Sequence, residues 1–185
     1  MAYFPMFVNL NERDCLVVGG GEVALRKIEQ LVKFSPKLRV IAPEIHSEIV
    51  DLAQKYSIIL EERPYEIDDL TGRFLVIGAL DNLVEQERIF NYCTEHHIPV
   101  NCVDSPLLCT FIFPALIVHD DLCLGINTSG RAPAVSSALR RYLSKMIPKG
   151  ISELIDKVDE IRQNEPVGKP RQDKIIGICK DFFEK

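Results

Sequence analysis

The chain contains no tryptophan, no Cys-x-x-Cys pair, no internal repeat and no low-complexity tract. No apolar run approaches the roughly 20 residues that a membrane-spanning helix requires, so no membrane partner is expected. The apolar stretch Met1–Leu10 lacks a basic n-region and a small-residue cleavage site, and does not read as a signal peptide. Cys15, Cys93, Cys102, Cys109, Cys123 and Cys179 are scattered, mostly inside apolar runs. That spacing argues against a disulfide framework or a zinc ribbon, and for reduced thiols in a cytoplasmic protein. His96 and His97 are adjacent rather than i, i+4, so no metal site is expected. A net charge of −5 does not suit nucleic-acid binding. One further absence is local: from Leu122 to Ser152 there is no acidic residue, whereas Arg131, Arg140, Arg141, Lys145 and Lys149 fall there. Such a run makes either a solvated helix face or a surface that attracts an anion.

What the chain does have is the segment Cys15-Leu-Val-Val-Gly-Gly-Gly-Glu-Val-Ala-Leu-Arg-Lys27. A short apolar run ends in three glycines, and a helix-compatible sequence follows at once. Gly19, Gly21 and Ala24 fit the G-x-G-x-x-G/A spacing of a dinucleotide-binding turn. The first glycine permits the tight strand-to-helix turn, and the second lets a pyrophosphate approach the backbone. The small third residue lets the helix lie close to the strand. Gly19, Gly20, Gly21, Glu22, Val23 and Ala24 are therefore candidate cofactor-binding residues, at a helix N-terminus whose free N–H groups suit phosphate.

The first 113 residues alternate strand and helix patterns. Strands are expected at Asp14–Val18, Leu38–Ala42, Ile58–Leu60, Phe74–Leu80 and Ile98–Val103. Helices are expected at Glu22–Phe34, Glu44–Tyr56 and from Asn82 to about His97, the last opened by a capping-box-like Asn82 and Glu85. Repeated strand-helix-strand units of this length imply an α/β fold with a Rossmann-like parallel sheet and right-handed crossovers. After Phe111 the pattern changes. Phe111–Val118 and Leu122–Asn127 read as a hairpin joined by His119-Asp120-Asp121. Helices at Pro133–Met146, Ile151–Ile161 and Asp173–Phe183 follow, with a linker at Asn164–Pro170 between the last two. The expected organisation is thus an NAD-binding domain over 1–113, a small α+β dimerisation and substrate region over 114–149, and C-terminal helices over 150–185. A hairpin and three short helices cannot bury their own apolar faces. They need either the first domain or a second copy of the chain, and a homodimer is expected.

In an open parallel sheet, ligands bind at the carboxyl ends of the strands. Asp81 and Asp104 fall there, after Phe74–Leu80 and Ile98–Val103. Asp81 can equally serve the helix start beside Asn82. Asp104 precedes Ser105-Pro106, where the chain leaves the sheet, a position suited to a general base or to an ordinary Asp turn. Thr128, Ser129, Gly130 and Arg131 precede a helix with Pro133 in its first turn, and make either an anion site or a helix cap. The acidic residue that usually holds the adenosine ribose is not obvious. Pro43 takes the end of the second strand and Glu44 lies slightly beyond the usual spacing. With no 2′-phosphate site evident at Arg39, NAD is expected over NADP.

Pro5-Met-Phe-Val-Asn-Leu, Cys15–Lys27, Val40-Ile-Ala-Pro-Glu44, Asn101-Cys-Val-Asp-Ser-Pro106, Phe111-Ile-Phe-Pro-Ala115 and Thr128-Ser-Gly-Arg-Ala-Pro133 occur in this order. Over about residues 3–150 the chain resembles the precorrin-2 dehydrogenase family, which includes the N-terminal module of sirohaem synthase. The resemblance implies NAD-dependent oxidation of precorrin-2, an anionic tetrapyrrole, to sirohydrochlorin, by a homodimer. It puts the family's key aspartate on Asp104, the pyrophosphate on the Gly19–Ala24 loop, and substrate carboxylates near Thr128–Arg131. Arg131-Ala132 departs from the small or hydroxyl residue and serine common there. Some members also insert iron, an activity the sequence leaves open. A non-catalytic, NAD-sensing dimer is the alternative from another class.

Overall fold

The structure is a computed structural model that describes residues 3–184; Met1, Ala2 and Lys185, at the ends of the first and last expected regions, lie outside the described residues. The chain falls into two compact units, Tyr3–Ile112 and a second beginning at Phe113.

The first unit is built on strands β1 (Asp14–Val18), β2 (Lys37–Ala42), β3 (Ile59–Glu62), β4 (Leu75–Gly78) and β5 (Val100–Cys102). All pair in parallel, in the order β3-β2-β1-β4-β5. β1 is central: Val17 stands opposite Val40 on one side and Ile77 on the other. Its residues Cys15–Val18 are at most 1% exposed, the continuous apolar run expected of a strand covered on both faces. Helices α1 (Glu22–Leu31) and α2 (Ser47–Tyr56) carry the chain outward through β2 to β3. It then crosses back to lay β4 against the free side of β1, and α3 (Leu83–Glu95) leads on to β5. Leu16, Val18, Val76, Val100 and Cys102 share one core with Ile89 and Cys93 of α3. The strand order reverses between β1 and β4, which opens a crevice at their carboxyl ends.

Several boundaries differ from the expected ones, each for a local reason. α2 starts at Ser47 rather than Glu44, because the Ile45 region packs on the glycine loop and His46 caps the helix, its Nδ1 accepting from Glu48 N at 3.3 Å. Only half of the capping box of α3 forms: Asn82 Oδ1 accepts from Val84 N at 3.0 Å and Glu85 N at 3.4 Å, but the Glu85 carboxylate accepts the Tyr65 hydroxyl instead of the Asn82 N–H. The hairpin's first strand starts only at Ala115, since the chain before it returns to β5. There Thr110 N donates to Val100 O at 2.8 Å and Asn101 Nδ2 to Phe111 O at 2.9 Å.

The second unit contains the hairpin β6 (Ala115–His119) and β7 (Leu122–Ile126), with Ile117 opposite Leu124. Helices α4 (Pro133–Met146), α5 (Ile151–Asn164) and α6 (Lys169–Phe183) follow. The expected linker is shorter than Asn164–Pro170, because Pro170 sits in the first turn of α6, where a missing N–H costs nothing. Among the described residues no helix is long and apolar enough to cross a membrane.

Candidate functional site

β1 delivers the chain to Gly19–Gly21, and the three glycines meet three different demands. Gly19 has φ +115°, and a Cβ there would overlap the carbonyl oxygen of Ala79 and stand 2.8 Å from its carbon. Close packing against the loop after β4 therefore requires glycine. At Gly20 a Cβ would overlap the Glu44 carbonyl oxygen and lie 3.0 Å from both Ala42 Cβ and Ile45 Cα. The Gly20 carbonyl also accepts His46 N at 2.9 Å. Gly21 differs from both: it is the extended N-cap of α1, and a Cβ on it would meet nothing within 4 Å.

The α1 N-terminus consequently opens on space. Among the described residues no side chain caps its first-turn N–H groups, and Ala24 is fully buried, bringing the helix close to the sheet. A cradle that a Cβ would fill, floored by unpaired helix N–H groups, fits a dinucleotide pyrophosphate. Glu22 and Val23 form the first turn; Glu22 is exposed and Val23 half-buried.

Val23 also lines a cleft of about 220 Å³ with Leu80 and Asp81 after β4, Gln86 of α3, and Asp104 and Ser105 after β5. The cleft lies at the carboxyl ends of the strands beside the topological switch. Both aspartates are exposed on it, and Asn82, not Asp81, caps α3. Asp104 has φ +59°, a left-handed conformation costing roughly 1 kcal/mol for a non-glycine residue. It stands at the tip of a tight excursion closed by Ser105 N to Cys102 O (3.3 Å) and by Cys109 Sγ to Cys102 O (3.2 Å).

Two residues of this neighbourhood had no expected role. Lys27, one turn along α1 from Val23, is half-buried; burial holds its ammonium below its ordinary pKa, while Asp104 and Cys109 oppose that shift. Gln86 is 5% exposed, a buried polar side chain lining the cleft. Lys27 lay within the glycine motif itself. The signal for Gln86 was its place on the stripe of Ile89 and Cys93, where a helix buries apolar residues.

Pro43 and Glu44 are exposed at the carboxyl end of β2, and the Glu44 carbonyl packs close against Gly20. Arg39 of β2 is ion-paired with Glu61 of β3 and so is engaged within the sheet. Arg63 bridges Glu61 and Asp69, and this hydrogen-bonded contact holds the Asp69 carboxyl below the usual carboxylate range.

In the second unit Thr128, Ser129, Gly130 and Arg131 form the turn into α4. Ser129 and Gly130 have φ of +53° and +73°. The Thr128 hydroxyl accepts from Ala132 N and meets the buried Ser136 hydroxyl, both at 3.2 Å. Its role in the turn is therefore structural, whereas the Arg131 side chain is exposed. Among the described residues no three His, Cys, Asp or Glu side chains gather as a metal site.

Residues 6–115 match a family described as "Putative NAD(P)-binding". Siroheme synthase of Vesicomyosocius okutanii is 33% identical over 162 residues, covering 88% of this chain and 35% of that protein. Siroheme synthase of Ectopseudomonas mendocina is 41% identical over 154 residues, covering 83% and 33%. The chain thus spans about a third of the length of these relatives. Among solved structures, SirC, precorrin-2 dehydrogenase, matches with a TM-score of 0.78 at 21% identity, over 98% of this chain and 92% of that one, a likeness of fold.

Proposed function

This chain belongs to the NAD(P)-binding family matched over residues 6–115, and from that premise we propose that it is an NAD-dependent precorrin-2 dehydrogenase. The single observation that carries the reading is the cleft in which Asp104 and Asp81 stand beside the first turn of α1. The siroheme synthase relatives support the substrate class. Gly21 and the first-turn N–H groups of α1 would hold the pyrophosphate, with Gly19, Gly20 and Ala24 setting the loop's shape. Glu44, at the end of β2 beside Pro43, is available to the adenosine ribose. The pairing of Arg39 with Glu61 leaves that arginine poorly disposed to a 2′-phosphate and favours NAD.

When bound, NAD⁺ supplies the hydride acceptor. Oxidation of the reduced ring to sirohydrochlorin also releases a proton, and Asp104 is the side chain that takes it. The tip of a short, internally bonded excursion gives its backbone a fixed position from which the carboxylate reaches the cleft. Arg131 and the basic residues of α4 offer charge complementarity to the carboxylates of the substrate. The test is anaerobic turnover of enzymatically generated precorrin-2 with NAD⁺, followed by NADH and sirohydrochlorin absorbance. Turnover that requires NAD⁺ is expected. A folded, NAD-binding protein without turnover would turn the assignment towards a nucleotide sensor.

The active species is a homodimer that buries the apolar stripe of α4. Val135, Leu139, Tyr142 and Met146 recur at helical spacing on α4 and are 42–61% exposed. Among the described residues, buried side chains in the second unit are few: Ile117, Ser136, Leu154 and Ile161. A two-stranded hairpin with so little core needs a further surface. Sedimentation of the wild type should give a dimer, and Leu139→Glu with Tyr142→Glu should give a folded monomer. A wild type that sediments as a monomer at micromolar concentration would refute this arrangement.

A further inference from the structure

We propose that Gln86 is a positioning residue that fixes the backbone carrying Asp104, an assignment that rests on the dehydrogenase reading of the cleft. One amide ties together the two loops that bear its carboxylates. Gln86 Nε2 donates to Leu80 O at 2.5 Å, beside Asp81, and to Val103 O at 3.1 Å, beside Asp104. Its Oε1 accepts the Ser105 hydroxyl at 2.5 Å, on the other side of Asp104. Its own backbone carbonyl accepts Cys102 Sγ at 3.5 Å, at the end of β5.

The chemistry of the partners specifies glutamine. Two main-chain carbonyls demand two N–H donors, and a hydroxyl demands an acceptor, a set that a primary amide supplies and a carboxylate does not. Glutamate would turn an oxygen towards both carbonyls, and leucine would take their partner from three part-buried groups. Asp104 lies between two residues held this way, with φ +59°. A left-handed aspartate persists only where its surroundings over-determine it. Val103 and Ser105 are the flanks that do so; main-chain bonds hold each of them, Val103 N to Gly78 O and Ser105 N to Cys102 O, and the Gln86 side chain ties the two together.

The test needs one readout independent of turnover. In isotope-labelled protein, Gln86→Leu should move the Asp104 13Cα and 13Cβ shifts away from left-handed values while NAD affinity stays at the wild-type level. Ser105→Ala removes one bond without opening the core and should move them in the same direction by less. It decides the matter if Gln86→Leu does not fold. In the precorrin-2 assay, kcat of Gln86→Leu should fall about 100-fold with KM for NAD⁺ unchanged, the scale of a misplaced group. In an Asp104→Asn background the same change should cause no further loss, because the residue acts through Asp104. Asp104 shifts at wild-type values in both variants would overturn the assignment, as would losses that multiply in the double variant. Absence of turnover in the wild type would sink the dehydrogenase reading alone, since the shifts still decide the role of Gln86.

Discussion

Gly21→Asp folds as well as the wild type and loses NAD binding. The added Cβ has open space around it, and the residue is the N-cap of α1, where aspartate is among the favoured residues. Stability should therefore hold or rise slightly. The same carboxylate would stand where the pyrophosphate approaches. A unit charge about 4 Å from another costs roughly 4 kcal/mol at an effective dielectric of 20, which is nearly a thousandfold in affinity at about 1.4 kcal/mol per decade. Its neighbours give the opposite result. Gly19→Ala and Gly20→Ala bring no charge to the cradle, yet each drives a Cβ into main-chain atoms, and Gly19 adds a positive φ. Both should destabilise by roughly 3 kcal/mol or more through overpacking and backbone strain. Calorimetric titration with NAD⁺ beside thermal melts separates the cases. A folded Gly21→Asp protein with wild-type NAD affinity would remove the glycine loop from the site.

That three adjacent glycines do three jobs was only partly legible in the sequence. The spacing of Gly19, Gly21 and Ala24 identifies the turn, since a strand-to-helix junction that admits phosphate constrains those positions directly. Nothing local reveals that Gly20 is hemmed in by Glu44, because that contact arises from the parallel pairing of β1 with β2. The sheet itself was readable for a related reason: β1 and β4 are buried on both faces, so their apolar runs are continuous. Strand ends were less legible where a side chain distant in sequence captured the backbone: the Thr110 hydroxyl accepts Val100 N, and Asn101 of β5 donates to Phe111 O. The Asn82 cap is a local pattern and legible, whereas the Glu85 carboxylate is taken by the hydroxyl of Tyr65, distant in sequence. The cleft shows the same division. Asp81 and Asp104 follow from strand ends, whereas Gln86 becomes informative only when its amide is seen to span two loops.

Asp104→Asn should bind NAD like the wild type and lose turnover by about 10²–10⁴-fold, the usual contribution of a positioned general base. Asparagine is the informative replacement because of the backbone. At φ +59° alanine pays the left-handed penalty and would let the loop relax, mixing a structural loss with a chemical one. Asparagine tolerates that conformation and keeps the volume of the side chain, but cannot accept the proton as a carboxylate does. Asp104→Gly makes the complementary control: it is at ease in the left-handed region and removes the side chain altogether. If the carboxylate acts as a base, both variants fall to similar residual rates despite their different backbone demands. If Asp104 mainly orients the ring through a hydrogen bond, asparagine retains much of that bond and its kcat stays well above that of glycine. Anaerobic precorrin-2 oxidation by the three proteins at saturating NAD⁺ discriminates these outcomes. Wild-type kcat in both variants would remove Asp104 from the mechanism and leave Asp81, on the same cleft, as the carboxylate to test.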